Sequence, residues 1–376
     1  MKILIVHPTM NFYGGAEYLV VKLANFLTKN NIENTILTLE IAPEIKRELI
    51  STEIITIKEK SAIKKRLNLL QEIQLFNRYI KLHESKFDVI NVHNLPVEDA
   101  VLGVKAPVVW MCNEPPEIWD SKISLFKKIL YRIYMVLDVF IVRYNIKNVV
   151  VADEFNKKRF INRYGIIPTI INYGVDYPFF SKDVKNEGKL RFNSDGHFII
   201  SQVGMITKMK NQIESIKAIE NLIKYVPNIK LILAGNDEGE YADYIKNYVN
   251  KNGLKEYVDI IGHVSRDEIR ALYTISDVII FPIKSQGGWL SPFEALCAGK
   301  PIIVSNEMTA SDIIKQNQLG TVTNNFRDVI YDIYQNPGKY NKIGKHGKEW
   351  VKTELSWDKF SSKMVDEFKK AINTQM

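Results

Sequence analysis

Short, continuously apolar runs rich in Ile and Val punctuate this chain, and between them apolar residues recur every three or four positions. Runs of the first kind suit strands covered on both faces, and stretches of the second kind suit amphipathic helices. Their alternation is the pattern of a parallel α/β sheet. The runs predict strands at Lys2–His7, Thr35–Leu39, Ile54–Ile57, Asp88–Val92, Pro107–Met111, Asn148–Ala152 and Pro168–Ile171. A second series falls at Phe198–Val203, Lys230–Leu233, Val258–Ile261, Val278–Ile283 and Ile302–Ser305. Helical spacing appears in Leu19, Val20, Leu23, Ala24 and Leu27, over Glu154–Tyr164, and in Ile213, Ile216, Ile219, Leu222, Ile223 and Val226. Further helices are predicted at Tyr241–Asn252 and Asp267–Ser276, then two beyond Thr309 and a last one over Trp357–Ile372. Lys58–Lys86 reads as a basic amphipathic helix or pair of helices. The polar stretch Ser181–Gly196 reads as a surface linker, which puts a domain boundary between Tyr173 and Asn186.

One strand–helix–strand unit, DVIIFPIKSQGGWLSPFEALCAGKPIIVS from Asp277 to Ser305, carries the clearest helix signals. Ser291 suits an N-cap, Pro292 the first helical position and Glu294 the third, so Glu294 can close a capping box. Gly299 and Pro301 then stop the helix. The N–H groups of Leu290 and Ser291 at that helix start suit a phosphate. A comparable start follows Phe198–Val203, where Asn211 and Glu214 suit a cap and its third-position partner. Lys208 and Lys210 precede it, and cations sit badly beside a helix N-terminus unless an anion relieves them. Every candidate loop follows a strand: Gly14-Gly15, His93, Asn113, Lys210, Val264 and Gln286 to Glu294. In doubly wound sheets ligands lie outside the carboxyl ends of strands, so two such sheets facing each other would gather these loops at one cleft.

Composition narrows this only a little. At 376 residues the chain has room for two domains. The net charge of +8 suits an anionic substrate, an anionic membrane surface or nucleic acid. No nucleic-acid recognition motif or basic–aromatic stripe is present. The two cysteines, Cys112 and Cys297, sit in apolar surroundings without metal-ligand spacing, as buried thiols in a reducing compartment do. The N-terminus reads as a strand rather than a signal peptide, and no run is long enough to span a bilayer. Ser121–Asn145 is apolar, aromatic and basic at once. It reads as a core helix with exposed lysines or as a helix lying in the headgroup layer.

The stretch QGGWLSPFEALCAGKPIIVS resembles the signature of the large retaining, nucleotide-sugar-dependent glycosyltransferase family (glycosyl transferases group 1), which has two glutamates separated by seven residues. The resemblance extends along nearly the whole chain through the Gly14-Gly15 loop, the Gly204–Asn211 loop and Asn172-Tyr173-Gly174-Val175-Asp176. It implies the GT-B architecture: two Rossmann-like, doubly wound parallel-sheet domains facing across a cleft. An acceptor domain would cover 1–175, a donor domain 176–355, and a helix at 356–376 would cross back to the first. The resemblance implies a hexose moved from a UDP- or GDP-linked donor to a glycan or lipid-linked hydroxyl, with retention and with no metal or cofactor. Gly14, Gly15, Lys208, Lys210, Leu290 and Ser291 would meet the donor phosphates, and Glu294 the ribose. Gln286, Gly288 and Trp289 would meet the donor sugar, and main chain at Val264 the base. His93, Asn113 and Lys210 would serve catalysis. Three positions depart from the family: Gln286 replaces the first glutamate, Met205 an arginine, and Asn113 a histidine. These leave open a sugar-nucleotide epimerase or a donor-binding relative with impaired catalysis. The expected setting is cytoplasmic, peripheral at the inner membrane face.

Overall fold

The computed structural model describes residues 1–12, 14–57, 68–116, 125–284 and 289–375, with side chains for all of these except 125–128 and 375. The chain divides into two compact units, Met1–Gly174 with Trp357–Met376, and Val175–Ser356.

The first unit is built on a parallel sheet of β1 (Lys2–Val6), β2 (Glu33–Thr38), β3 (Glu53–Thr56), β4 (Val89–His93), β5 (Val108–Met111), β6 (Asn148–Val151) and β7 (Thr169–Ile170). The strand order is β3-β2-β1-β4-β5-β6-β7. The direction of winding therefore reverses between β1 and β4, where a doubly wound sheet opens a crevice. Leu4, Val6, Ile90, Val92 and Trp110 turn one face of the sheet into a core shared with Phe76 and Phe160. Trp110 meets the rings of Phe160 and Tyr164 edge-on, with centroids 5.3 and 5.7 Å away. The last helix, Trp357–Gln375, belongs to this unit and buries Phe360, Met364, Phe368 and Ala371. Its start is seated on Gly174, where a Cβ would lie 2.4 Å from the Trp357 backbone nitrogen. Only glycine admits that approach.

The second unit carries β8 (Phe198–Val203), β9 (Ile229–Ala234), β10 (Val258–Ile260), β11 (Val278–Phe281), β12 (Ile302–Val304) and β13 (Thr321–Val322). All pair in parallel in the order β10-β9-β8-β11-β12-β13, so winding reverses between β8 and β11. The helix Pro337–Glu354 presses its glycines against the Leu290–Cys297 region. A Cβ on Gly344 would come within 2.5 Å of the Gly299 carbonyl, and one on Gly347 within 2.6 Å of Leu296.

Several expectations need correction. Ser181–Gly196 is not an unstructured linker: it contains the helix Lys185–Phe192. Gly188 of that helix lies against Ala271 and Ile275, and close packing on the helix Arg266–Ile275 overrides a polar pattern. The helix after β11 begins at Leu290, one residue ahead of Ser291, and its start carries no side-chain cap. Ser291 and Glu294 therefore form no capping box. Asn211 stands at the start of the helix Gln212–Glu220 in a left-handed conformation, φ 56°, without a side-chain cap. Beyond Thr309 there are three helices before the last, Ser311–Gln316, Phe326–Gln335 and Pro337–Glu354, with β13 between the first two. Within Lys58–Lys86 the helix is Leu69–His83, and residues 58–67 lie outside the described ones. Among the described residues no helix is long and apolar enough to cross a membrane.

Candidate functional site

In the second unit the loops leaving the carboxyl ends of four strands are laced together by main-chain hydrogen bonds. Ile206 N–H donates to the Asn236 carbonyl at 2.9 Å, joining the β8 and β9 loops. Gly235 N–H donates to Gly262 O at 2.8 Å, joining β9 to β10. Lys284 N–H donates to Met209 O at 2.9 Å, joining β8 to β11 across the winding reversal. These bonds hold the loop of Lys208 and Lys210 against the loops leaving β9 and β11; Val264 and the helix Leu290–Cys297 follow β10 and β11 at the same edge of the parallel sheet, the rim of this unit. Lys208 is exposed and Lys210 half-buried. The Lys210 stem runs over Gly204, where a Cβ would stand 3.6 Å from its Cδ and Cε. Thr207 Oγ1 accepts from the Lys210 N–H at 3.3 Å, and the Lys210 carbonyl accepts from Gln202 Nε2 at 2.7 Å, so the loop's main chain is held on both sides. Met205 is exposed, and its carbonyl accepts from Gln212 Nε2 at 3.0 Å.

Leu290 and Ser291 are half-buried at the first turn of their helix, where N–H groups have no intrahelical acceptor. Glu294 lies one turn further. Burial pushes its carboxyl up to about 7, against the opposing pull of the Arg266 guanidinium. Arg266 is itself paired with Asp176 at 3.2 Å and lies over the ring of Phe179 at 4.7 Å. Trp289 points inward, packed on Phe293 at 4.5 Å, so its side chain belongs to the core. Gln286 and Gly288 lie outside the described residues. Val264 is half-buried against Ile199 and Leu272.

In the first unit strand register builds the site. Val6 pairs with Val92, so the residues that follow, His7 and His93, stand side by side with ring centroids 6.3 Å apart. Both rings are buried. Burial holds His7 down to about 4 and, helped by His7, holds His93 well below the ordinary imidazole value. Both are neutral at pH 7. Asn91 Nδ2 donates to Val109 O at 3.0 Å, which turns Asn91 Oδ1 toward His93 Nε2 at 2.7 Å. That assigns the proton of His93 to Nε2 and leaves a lone pair on a buried Nδ1 that no group among the described residues meets. From the same end of the sheet Tyr173 donates to Asn113 Oδ1 at 2.6 Å, and Asn113 Nδ2 donates to Asn94 Oδ1 at 2.7 Å. Asn94 Nδ2 then lies 3.4 Å from His7 Nε2. Gly14 precedes the helix Gly15–Lys29 in extended conformation and donates its N–H to Glu17 at 3.1 Å. Glu17 is buried, which raises its carboxyl, and it sits 4.0 Å from His7. Residue-by-residue reading missed His7, Glu17, Asn94 and Tyr173 here, and Asp176 and Arg266 in the second unit. His7 had the same signal as His93, a histidine directly after a strand. Among the described residues no group of acidic, histidine or cysteine side chains could hold a metal ion.

A family model described as "Glycosyl transferases group 1" matches residues 185–350, and one described as "Glycosyltransferase Family 4" matches residues 13–177. A GDP-mannose-dependent alpha-(1-6)-phosphatidylinositol monomannoside mannosyltransferase from Mycobacterium tuberculosis is 22% identical over 231 residues, 57% of this chain and 60% of that protein. An alpha-monoglucosyldiacylglycerol synthase from Acholeplasma laidlawii is 23% identical over 53% of this chain and 50% of its own length. The chain thus spans about 60% or less of the length of these curated relatives. Among solved structures, HepE from Anabaena in complex with UDP aligns with TM-score 0.79 at 15% identity, covering 98% of this chain and 100% of that one. The same protein in complex with UDP-glucose aligns with TM-score 0.78. This likeness is one of fold, the GT-B fold, to which the two parallel-sheet units conform.

Proposed function

The chain belongs to the group 1 glycosyltransferases, and from that membership we propose that it moves a hexose from a UDP- or GDP-linked donor to an acceptor hydroxyl with retention of anomeric configuration. The observation that carries this reading is the laced rim of the second unit. A lysine, helical N–H groups and a carboxyl with no hydrogen bond to the protein among the described residues stand along one switch point.

In this reading Lys210 and the N–H groups of Leu290 and Ser291 hold the donor diphosphate, and Lys208 adds the charge that Met205 cannot supply. Gly14 and Gly15 allow main chain at the start of the helix Gly15–Lys29 to approach a donor phosphate closely. Glu294 accepts from the ribose hydroxyls, Gln286 and Gly288 contact the donor sugar, and main chain at Val264 meets the base. Trp289, packed inward, contributes through its backbone. The bond from the anomeric carbon to the diphosphate oxygen breaks as negative charge gathers on that oxygen, which Lys210 stabilises. The acceptor oxygen bonds to the same face of the anomeric carbon and passes its proton to the departing phosphate. Asn113 orients the acceptor, and neutral His93 acts by hydrogen bonding rather than as a cation. The positive charge needed by the leaving group comes from the chain's own groups, so turnover is independent of divalent metal and survives chelation. The relatives named above, one acting on a phosphatidylinositol mannoside and one named for a glucosyl diacylglycerol, favour a lipid-linked acceptor over a free glycan. Two free, buried thiols favour work on the cytoplasmic side, at the inner membrane face.

Titration calorimetry against UDP, GDP and ADP sugars is the test. Lys210→Ala should weaken the preferred donor about tenfold to a hundredfold, the scale of one or two charge-assisted phosphate contacts. Unchanged affinity for every nucleotide sugar overturns the reading. The anomeric configuration of the product, read by NMR, decides retention.

A further inference from the structure

The helix Leu125–Asn145 turns Tyr134, Asp138 and Asn145 toward the protein beside Met135 and Val142. Tyr134 donates to buried Asp99 at 2.5 Å, and Asp138, wholly buried, receives Tyr164 OH at 2.9 Å and the guanidinium of Arg163. Asn145 Oδ1 accepts from Gly103 N–H at 3.0 Å. A stripe along its other side faces outward: Ile129, Leu130, Ile133, Val136, Leu137, Phe140 and Tyr144 are between 48% and 88% exposed. Six of the seven carry no polar side-chain atom. A helix over an aqueous surface shows the opposite arrangement, and a continuous apolar face of this kind marks an interaction site.

Charge identifies the occupant. From Leu125 to Tyr164 the chain has nine Lys or Arg against three Asp or Glu, a net +6 within a chain of +8. Of the three acids, Asp138 and Asp153 are buried and Glu154 pairs with Lys157 at 3.4 Å. Arg132, Arg143 and Lys147 are exposed around the apolar face. An outward apolar stripe flanked by cations, with its acids buried or paired, suits a bilayer carrying anionic phospholipid. We propose that the first unit docks on such a bilayer through the outer face of Leu125–Asn145.

A groove of about 890 Å³ runs beside that face, lined by Arg132, Val136, Phe140, Arg159, Pro115 and Pro116 among others. Pro115 is two residues from Asn113. An acceptor anchored in the bilayer therefore reaches the end of β5 without leaving the headgroup layer, a consequence that rests on the transferase reading. The docking itself does not.

The test uses the full chain, without nucleotide, sedimented with vesicles of phosphatidylcholine alone or mixed with phosphatidylglycerol. The wild-type chain should partition onto the mixed vesicles at least about tenfold better than onto the neutral ones. It should lose that preference near 1 M salt, where the screening length falls to ~3 Å. Ile133→Glu with Leu137→Glu should cut the partitioning about tenfold or more. Neither residue lines the groove, so donor binding in lipid-free buffer stays as in wild type. An Ile133→Ser, Leu137→Ser pair with an unchanged melting curve guards against misfolding. Equal sedimentation with both vesicle types overturns the proposal, as does wild-type partitioning by the substituted chains. So does a wild-type dimer that these substitutions split without any vesicle uptake, which would give the face to a second copy. Donor binding is measured without lipid and docking without donor, so either can fail alone.

Discussion

Glu294 shows how a carboxyl is tuned by its surroundings. The folded carboxyl keeps its proton up to about 7, while an unfolded one releases it near ~4.3. Over that interval the folded state binds more protons, so this group's contribution to stability falls as pH rises from ~4.3 through about 7 and stays low above. Glu294→Gln should therefore melt above wild type at about pH 8, by on the order of 1–2 kcal/mol after allowance for solvent screening at a half-buried site, and alike at about pH 4. Donor affinity should move the other way. It should rise in wild type as pH passes about 7, since in the proposed donor site the carboxylate accepts from both ribose hydroxyls, and be flat and weaker in the glutamine variant. Calorimetric melting and titration at several pH values check both; a variant that binds donor like wild type removes Glu294 from the ribose site. In the first unit His7 and His93 are tuned in the opposite sense, kept neutral by burial, which suits hydrogen bonding near an uncharged acceptor.

At the scale of elements, the rim of the second unit depends on how closely its strand ends approach. Gly235 follows β9 with φ 148°, and a Cβ there would stand 2.2 Å from the Gly204 carbonyl oxygen. No side chain can be accommodated without separating the β8 and β9 loops. Gly235→Ala should destabilise the second unit by about 3 kcal/mol or more, combining strain at positive φ with a backbone clash. It should also displace the Lys210 loop, so that donor affinity falls even where the unit remains folded. Thermal melting with and without donor separates the two effects, and an alanine variant with wild-type donor affinity would show that the loop spacing does not matter. The helix Leu290–Cys297 has the converse dependence: without a side-chain cap its position comes from packing, Phe293 against Trp350 at 6.2 Å and Leu296 against Gly347.

At the scale of the molecule, the first unit is closed by a helix from the far end of the chain. Phe360, Met364, Val365, Phe368 and Ala371 are buried there, and Trp357 meets Tyr18 edge-on at 5.4 Å. Each large apolar side chain contributes about 1.5–3 kcal/mol on burial, and a whole domain is stable by only about 5–15 kcal/mol. Removing residues from Trp357 onward should therefore abolish the cooperative melting of the first unit. The second unit, Val175–Ser356, should keep its own transition and its donor binding. Scanning calorimetry of the shortened chain decides this; an intact first transition would mean that the helix is an accessory.

Strand and helix identity were legible because parallel strands are apolar on both faces and helices on one. Phe198–Val203 and Glu154–Tyr164 appear in the structure with the bounds that the pattern predicts. The helix Lys185–Phe192 was not legible, since its weak pattern is outweighed by the fit of Gly188 against Ala271 and Ile275. Nor was the outward apolar stripe of Leu125–Asn145, because a list of residues does not say which face of an apolar helix is inward, and buried Asp99 and half-buried Arg163 come from distant positions. The sequence by itself determined two parallel α/β sheets, the loops at their strand ends and the family to which they belong. Only the tertiary structure decided that register sets His7 beside His93, that Glu294 titrates near 7 instead of capping its helix, and that Leu130 and Leu137 face out. Those outcomes follow from desolvation and packing between segments far apart in the chain, which local periodicity does not record.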